Sequence, residues 1–137
     1  MLNPKFKYYQ TQSKSKIPNP KGERVYDIRE RIFRYDQRIL DIADNLPSTK
    51  ICDVLRSQIV RSGTLIGANM EEADGIITKR DFINKIVLAR KEAKETRYWL
   101  WLIAYKYIKE EEIERDVKEI QEIINILSVI INKTKNT

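Results

Sequence analysis

Apolar residues recur every third or fourth position in four successive stretches of this chain, and the first two stop at helix-breaking signals. That spacing marks amphipathic helices, each of which must bury one face against its neighbours. The first stripe is Ile28, Ile32, Tyr35, Ile39, Ile42 and Leu46, in a helix predicted from Val25 to Asn45 and ended by Pro47. The second helix is predicted to start after Ser48 as N-cap and to reach about Asp74, with Gly75 as its C-terminal cap. Its core stripe is Leu55, Ile59, Ser62, Ile66, Asn69 and Ala73, while Gly63 and Gly67 leave a neighbouring face open to close approach of another backbone. The third opens at Thr78 with Asp81 at N3, a variant of the capping box, and turns Phe82, Ile86, Ala89, Ala93, Leu100, Ala104 and Tyr107 inward. The fourth follows Glu110, Glu111 and Glu112, whose charges suit a helix N-terminus, and its seam is Ile113, Val117, Ile120, Ile124, Leu127 and Ile131. The connections are short, which implies antiparallel neighbours. The expected fold is all-α: an antiparallel up-down-up-down four-helix bundle over residues 25–133, with an extended basic tail over residues 1–24.

Two features exceed what such a bundle needs. Phe33 and Leu40 fall on a face of the first helix away from its stripe. Beyond Tyr98 the third helix is apolar nearly all round, with Trp99, Trp101, Leu102 and Ile103. A helix apolar on every side is buried on every side. Phe33, Leu40, Trp99 and Trp101 are therefore the expected contacts of a homo-oligomer.

Composition removes most catalytic chemistry. The 137 residues contain no histidine and one cysteine, Cys52. This excludes a His-based triad, a His metal ligand, an intramolecular disulfide and a Cys-cluster zinc site. The four glycines fit neither common nucleotide-cradling motif. Glu71, Glu72, Asp74, Glu92 and Glu95 raise the possibility of a Mg²⁺ site, but Glu92 is expected level with about residue 60, too far from Glu72 to share an ion. No enzyme activity, metal or cofactor is expected.

Charge singles out the N-terminus. The formal net charge is +6, yet all 20 acids lie at or after Glu23. Lys5, Lys7, Lys14, Lys16 and Lys21 stand in an acid-free stretch with Phe6, Tyr8 and Tyr9 among them. Lysines can neutralise phosphates while rings stack on unpaired bases. The same composition also suits a merely solubilising tail. Arg24, Arg31, Arg34 and Arg38 extend the basic surface onto the first helix, although Asp27, Glu30, Asp36, Asp41 and Asp44 share that helix.

Ser62 and Asn69 on the core stripe are expected to be structural, Asn69 by fixing the register of the first two helices near one end of the bundle. Arg90 and Arg97 should pack their stems and pair their heads with acids, Asp53 being within reach of Arg97. Cys52 reads as a small buried hydrophobe.

The stretch from Leu55 to Gly75, LRSQIVRSGTLIGANMEEADG, resembles the hallmark of the bacterial four-helix-bundle proteins, the large-subunit ribosomal RNA intervening-sequence proteins. The likeness continues through Lys79–Ile86 and Ala89–Leu102, and spans about residues 25–130. Arg61-Ser62, Ala68-Asn69, Glu72, Phe82 and Glu95-Thr-Arg97-Tyr-Trp-Leu100 carry it, so Ser62, Asn69, Glu72, Glu95 and Arg97 are the family-motif positions. Gly67 and Met70 depart from it, many members having Pro and Ile there. The resemblance implies a small homo-oligomer, commonly a pentamer, and no established activity. It also implies RNA by context, since the first members were noticed in insertions of ribosomal RNA genes. The fold is similar to the accessory variability determinant of diversity-generating retroelements, which partners a reverse transcriptase and nucleic acid.

The expectation is a non-enzymatic homo-oligomer that binds RNA or DNA through its tail and first-helix surface. The alternative is an adaptor for a nucleic-acid enzyme such as a reverse transcriptase, without direct nucleic-acid contact. The polar N-terminus and the absence of a long apolar run predict neither a leader nor a membrane span, and a cytoplasmic location.

Overall fold

A computed structural model describes residues 27–137 as four helices packed into a bundle. They are α1 (Ile28–Asp44), α2 (Lys50–Ala73), α3 (Lys79–Lys106) and α4 (Glu110–Lys135). The predicted start of the first helix at Val25 lies outside the described residues.

Local chemistry sets the ends. Asp27 caps α1, its carboxylate accepting from the Arg29 backbone N–H at 2.8 Å. The cap of α2 is Thr49 and not Ser48, because Thr49 Oγ1 accepts from Cys52 N three residues on, at 3.1 Å. Gly75 follows α2 with φ 88°, a left-handed conformation that glycine adopts without strain. Thr78 caps α3 through the Asp81 N–H, as its spacing predicted. No side chain caps α4, and Glu110, Glu111 and Glu112 supply the negative charge its first turn favours.

The core is rich in isoleucine. Ile32, Ile39 and Ile42 from α1 join Ile59 and Ile66 from α2, Ile86, Leu100 and Ile103 from α3, and Ile120, Ile123 and Leu127 from α4. Each helix runs close beside its two neighbours in the ring, and the backbones of the diagonal pairs stand farther apart. α3 packs extensively on α2 and α4, while α1 touches α4 least. Gly63 and Gly67 serve the predicted close approach: a Cβ on Gly63 would stand 3.0 Å from the Ile39 side chain of α1. Arg56 fastens the α1–α2 turn, donating from Nε to the Ala43 carbonyl and from Nη2 to the Leu46 carbonyl, both at 2.9 Å. The Ala43 carbonyl lies in the last turn of α1, where the residue four on is Pro47 with no N–H to give, and the Leu46 carbonyl lies in the connection beyond the helix.

Candidate functional site

The arginine stripe of α1 faces α4 and meets acids there. Arg31 forks onto Glu119 at 2.9 Å through Nε and also pairs with Glu122. Arg38 Nε donates to Asp116 at 3.0 Å, and Arg34 reaches Glu30 on its own helix at 2.9 Å. Between these pairs the Tyr35 hydroxyl donates to the Asp116 carbonyl oxygen at 2.8 Å. Burial and the neighbouring Asp116 push the phenol upward in pKa, so it remains a proton donor. The open groove between the two helices holds about 920 Å³ and is lined by Arg34, Arg38, Arg115 and Lys118 against Glu112, Asp116, Glu119 and Glu122. Bases and acids balance, so this groove is not a uniformly basic face. Lys5, Lys7, Lys14, Lys16, Lys21 and Arg24 lie outside the described residues.

The motif residues form the seam between α2 and α3. Arg61 of α2 pairs with Glu92 at 3.4 Å and with Glu95, both of α3. Glu95 also accepts from Trp99 Nε1 at 3.3 Å. Inside that rim Ser62 is fully buried, its Oγ 2.8 Å from Thr96 Oγ1, which is also 2.9 Å from the Glu92 carbonyl. One hydroxyl proton serves the carbonyl and the other joins the two oxygens. Glu72 accepts from Lys85 at 2.5 Å. Thr96 stands on the inner stripe between Ala93 and Leu100, but neither its place there nor its pairing with Ser62 is among the sequence expectations.

Two expectations need correction here. Asn69 is only half-buried, and its Nδ2 donates to the Leu65 carbonyl one turn back at 2.8 Å. It serves its own helix and does not tie α1 to α2. Arg97 does not reach Asp53, which pairs with Arg56 at 2.7 Å. Arg97 instead donates to Gln121 of α4 and stacks over the Trp101 ring, 4.9 Å from its centroid. Arg90 likewise donates to Ser128, a neutral partner, at 3.2 Å.

The surplus apolar residues divide. Phe33 and Trp99 are half-buried, whereas Leu40 is 45% and Trp101 50% exposed. On α3, Val87, Tyr98, Trp101, Leu102 and Tyr105 are all exposed, and their spacing places them along one outward stripe. Lys91 and Lys94 stand on the same stripe.

Asp36 was passed over as one more surface acid, although it sits between Ile32 and Ile39, four and three residues away on the apolar stripe. Its Oδ1 is buried with no hydrogen-bond partner. Burial pushes the carboxyl up to about 8, and the Gly67 backbone N–H offsets part of that rise. Among the described residues no three His, Cys, Asp or Glu side chains gather as a metal site, and no helix is long and apolar enough to cross a membrane.

Comparison with known proteins bears on this seam directly. No curated protein matches the chain. A solved structure described as a protein with unknown function from the S23 ribosomal protein family of Bacteroides thetaiotaomicron is 38% identical, with a TM-score of 0.72. The match covers 77% of this chain and 98% of that one. The family model described as 23S rRNA-intervening sequence protein matches residues 24–129, which include the whole α2–α3 seam. The chain belongs to the 23S rRNA-intervening sequence protein family.

Proposed function

We propose that this protein is a non-catalytic, cytoplasmic bundle that assembles with copies of itself and presents its basic N-terminal segments to RNA. The observation that carries the reading is the outward stripe of α3, where Tyr98, Trp101 and Tyr105 are each at least half exposed. Isolated apolar residues are ordinary on a surface, but aromatic residues aligned along one helix face suit an interface. The family's association by name with ribosomal RNA insertions supports RNA as the ligand, as do the five lysines in the acid-free residues 1–22. Arg31 and Arg38 contribute only where a phosphate displaces Glu119, Glu122 or Asp116, so the tail is the main phosphate contact. Several tails on one assembly bind by avidity, with weak sequence preference and strong salt dependence. A pentamer is the stoichiometry we favour. Within each subunit, the approach of Ser62 to Thr96 and of Glu72 to Lys85 supports an antiparallel up-down-up-down course.

A second reading has its own support. Ile51 and Val54 on α2 are 58% and 61% exposed, apart from the α3 stripe. Such a surface suits an adaptor that docks a nucleic-acid enzyme such as a reverse transcriptase. Light-scattering mass of the full chain, with and without a mixed RNA at low and high salt, separates the two. An oligomer that takes up RNA at low salt, and loses that ability when residues 1–22 are deleted, supports the first reading. An oligomer indifferent to RNA at every salt leaves the adaptor, and a monomer overturns the assembly itself.

A further inference from the structure

A cleft of about 250 Å³ lies between α1 and α2, with Phe33 and Asp36 on one wall and Thr64, Gly67 and Ala68 on the other. The carboxyl of Asp36 is its one deeply placed acid. Oδ1 is shielded from water and makes no hydrogen bond. A buried polar atom in that state is costly, and the great majority of such atoms are paired. Gly67 keeps the place open: a Cβ there would lie 2.7 Å from Asp36 Oδ2. Among the described residues, the charged groups that line it besides Asp36 are Arg29, which is engaged with Asp27 and Asp74, and Glu71 at the exposed rim. Neither the oligomer stripe on α3 nor the ionic groove on α1–α4 uses this cleft.

We propose that the cleft is a binding site for a primary alkylammonium group, with Asp36 Oδ1 as the acceptor. A turn of the Asp36 carboxyl brings Oδ1 from its shielded position to the cleft, where the group's N–H donates to it; the carboxyl proton leaves to solvent, and one ion pair replaces a neutral acid. A primary ammonium fits better than a bulky quaternary one, because the acceptor lacks a donor and not merely a charge. The carboxyl is largely protonated at neutral pH, so the ligand drives its ionisation. Two sources carry this chemistry: a free small amine, or a lysine of this chain's own residues 1–22. Asp36 stands about 13 Å along α1 from Asp27. Lys21 precedes Asp27 by a stretch that spans about 20 Å when extended, so the reach is sufficient.

The test is amide NMR on the full chain, with Gly67 as reporter, titrated with n-butylammonium chloride and separately with tetramethylammonium chloride. The expected result is a saturable Gly67 shift with n-butylammonium, accompanied by proton release, and none with tetramethylammonium. Asp36→Asn should weaken the response about tenfold or more, since a hydrogen bond to a charged group is lost. Gly67→Ala, read at the amide of the substituted residue, should weaken it too, because the added Cβ would stand 2.7 Å from Asp36 Oδ2 and displace the carboxyl. If a lysine of the chain is the source, replacing Lys5, Lys7, Lys14, Lys16 and Lys21 by Gln moves the Gly67 signal by itself and opens the cleft to n-butylammonium. A Gly67 signal indifferent to the amine in both backgrounds overturns the proposal, as does an equal response in Asp36→Asn.

Discussion

α3 and α1 are held in the same bundle by different means. α3 lies between α2 and α4 on broad apolar faces, with Leu100 and Ile103 fully buried and a single hydroxyl pair, Thr96 and Ser62, inside. α1 packs on α2 across two glycines and a buried acid, and on α4 through Tyr35, Arg31 and Arg38. Apolar burial is insensitive to salt and changes little with pH, whereas ion pairs and carboxyls respond to both. Apart from the ion pairs at the rim of the α2–α3 seam, Arg61 with Glu92 and Glu95 and Lys85 with Glu72, the bundle therefore has an inert half and a responsive edge, and α1 is that edge.

The largest blow to the inert half is Leu100→Ala, which should destabilise the protein by about 2–5 kcal/mol in urea unfolding. It should lower amide-exchange protection in every helix. Protection lost from α3 alone would break the comparison. Next comes Asp36. Its carboxyl titrates near 8 in the fold, against an ordinary value of 3.8, so between these pH values the folded chain holds a proton that the unfolded chain has lost. Stability from this group is intact below about 4, falls as pH rises, and levels off above about 8. Asp36→Asn should remove that fall, worth on the order of a few kcal/mol, and melting curves at pH 5 and pH 9 read it directly. A variant as pH-sensitive as the parent would place the titration elsewhere.

Smaller effects sharpen the contrast. Tyr35→Phe removes the hydroxyl that donates to the Asp116 carbonyl, leaving that oxygen its own helix bond, and should cost about 1 kcal/mol, with exchange rising mainly in α1. Thr96→Val should cost about as much, and adding Ser62→Ala should restore part of the loss, because an unpaired buried oxygen is removed. Strict additivity in that cycle would deny the hydroxyl pair. The least effect belongs to Arg31→Ala, below about 1 kcal/mol at low salt and vanishing at high salt. A salt-independent loss would show that the Arg31 stem, and not its charge, matters.

Much of this was readable in the residues. Helical spacing located all four helices, and Thr78 and Gly75 marked their ends because capping is local chemistry. Ser48 and Thr49 are adjacent and chemically alike, so only backbone geometry tells which oxygen faces Cys52 N. Register was harder. The expected register sets Glu92 level with about residue 60 and Arg97 within reach of Asp53, yet Thr96 meets Ser62. The path of Asp74–Thr78, which no periodicity encodes, slides α3 along α2. Asp36 was missed for another reason. A carboxylate between two isoleucines reads as a boundary, and only the glycine opposite, on a different helix, turns that boundary into a cleft.

The hold of Arg56 on the α1–α2 turn carries a consequence for folding. Its carbonyl partners lie 9 to 13 residues back along the chain, a far shorter span than the 88 residues separating Arg31 from Glu119. Closing a short loop sacrifices less chain entropy, so contacts of this kind form early and α1–α4 contacts late. The α1–α2 hairpin is then a self-starting unit, and the α1–α4 groove closes as the last step of the chain's collapse.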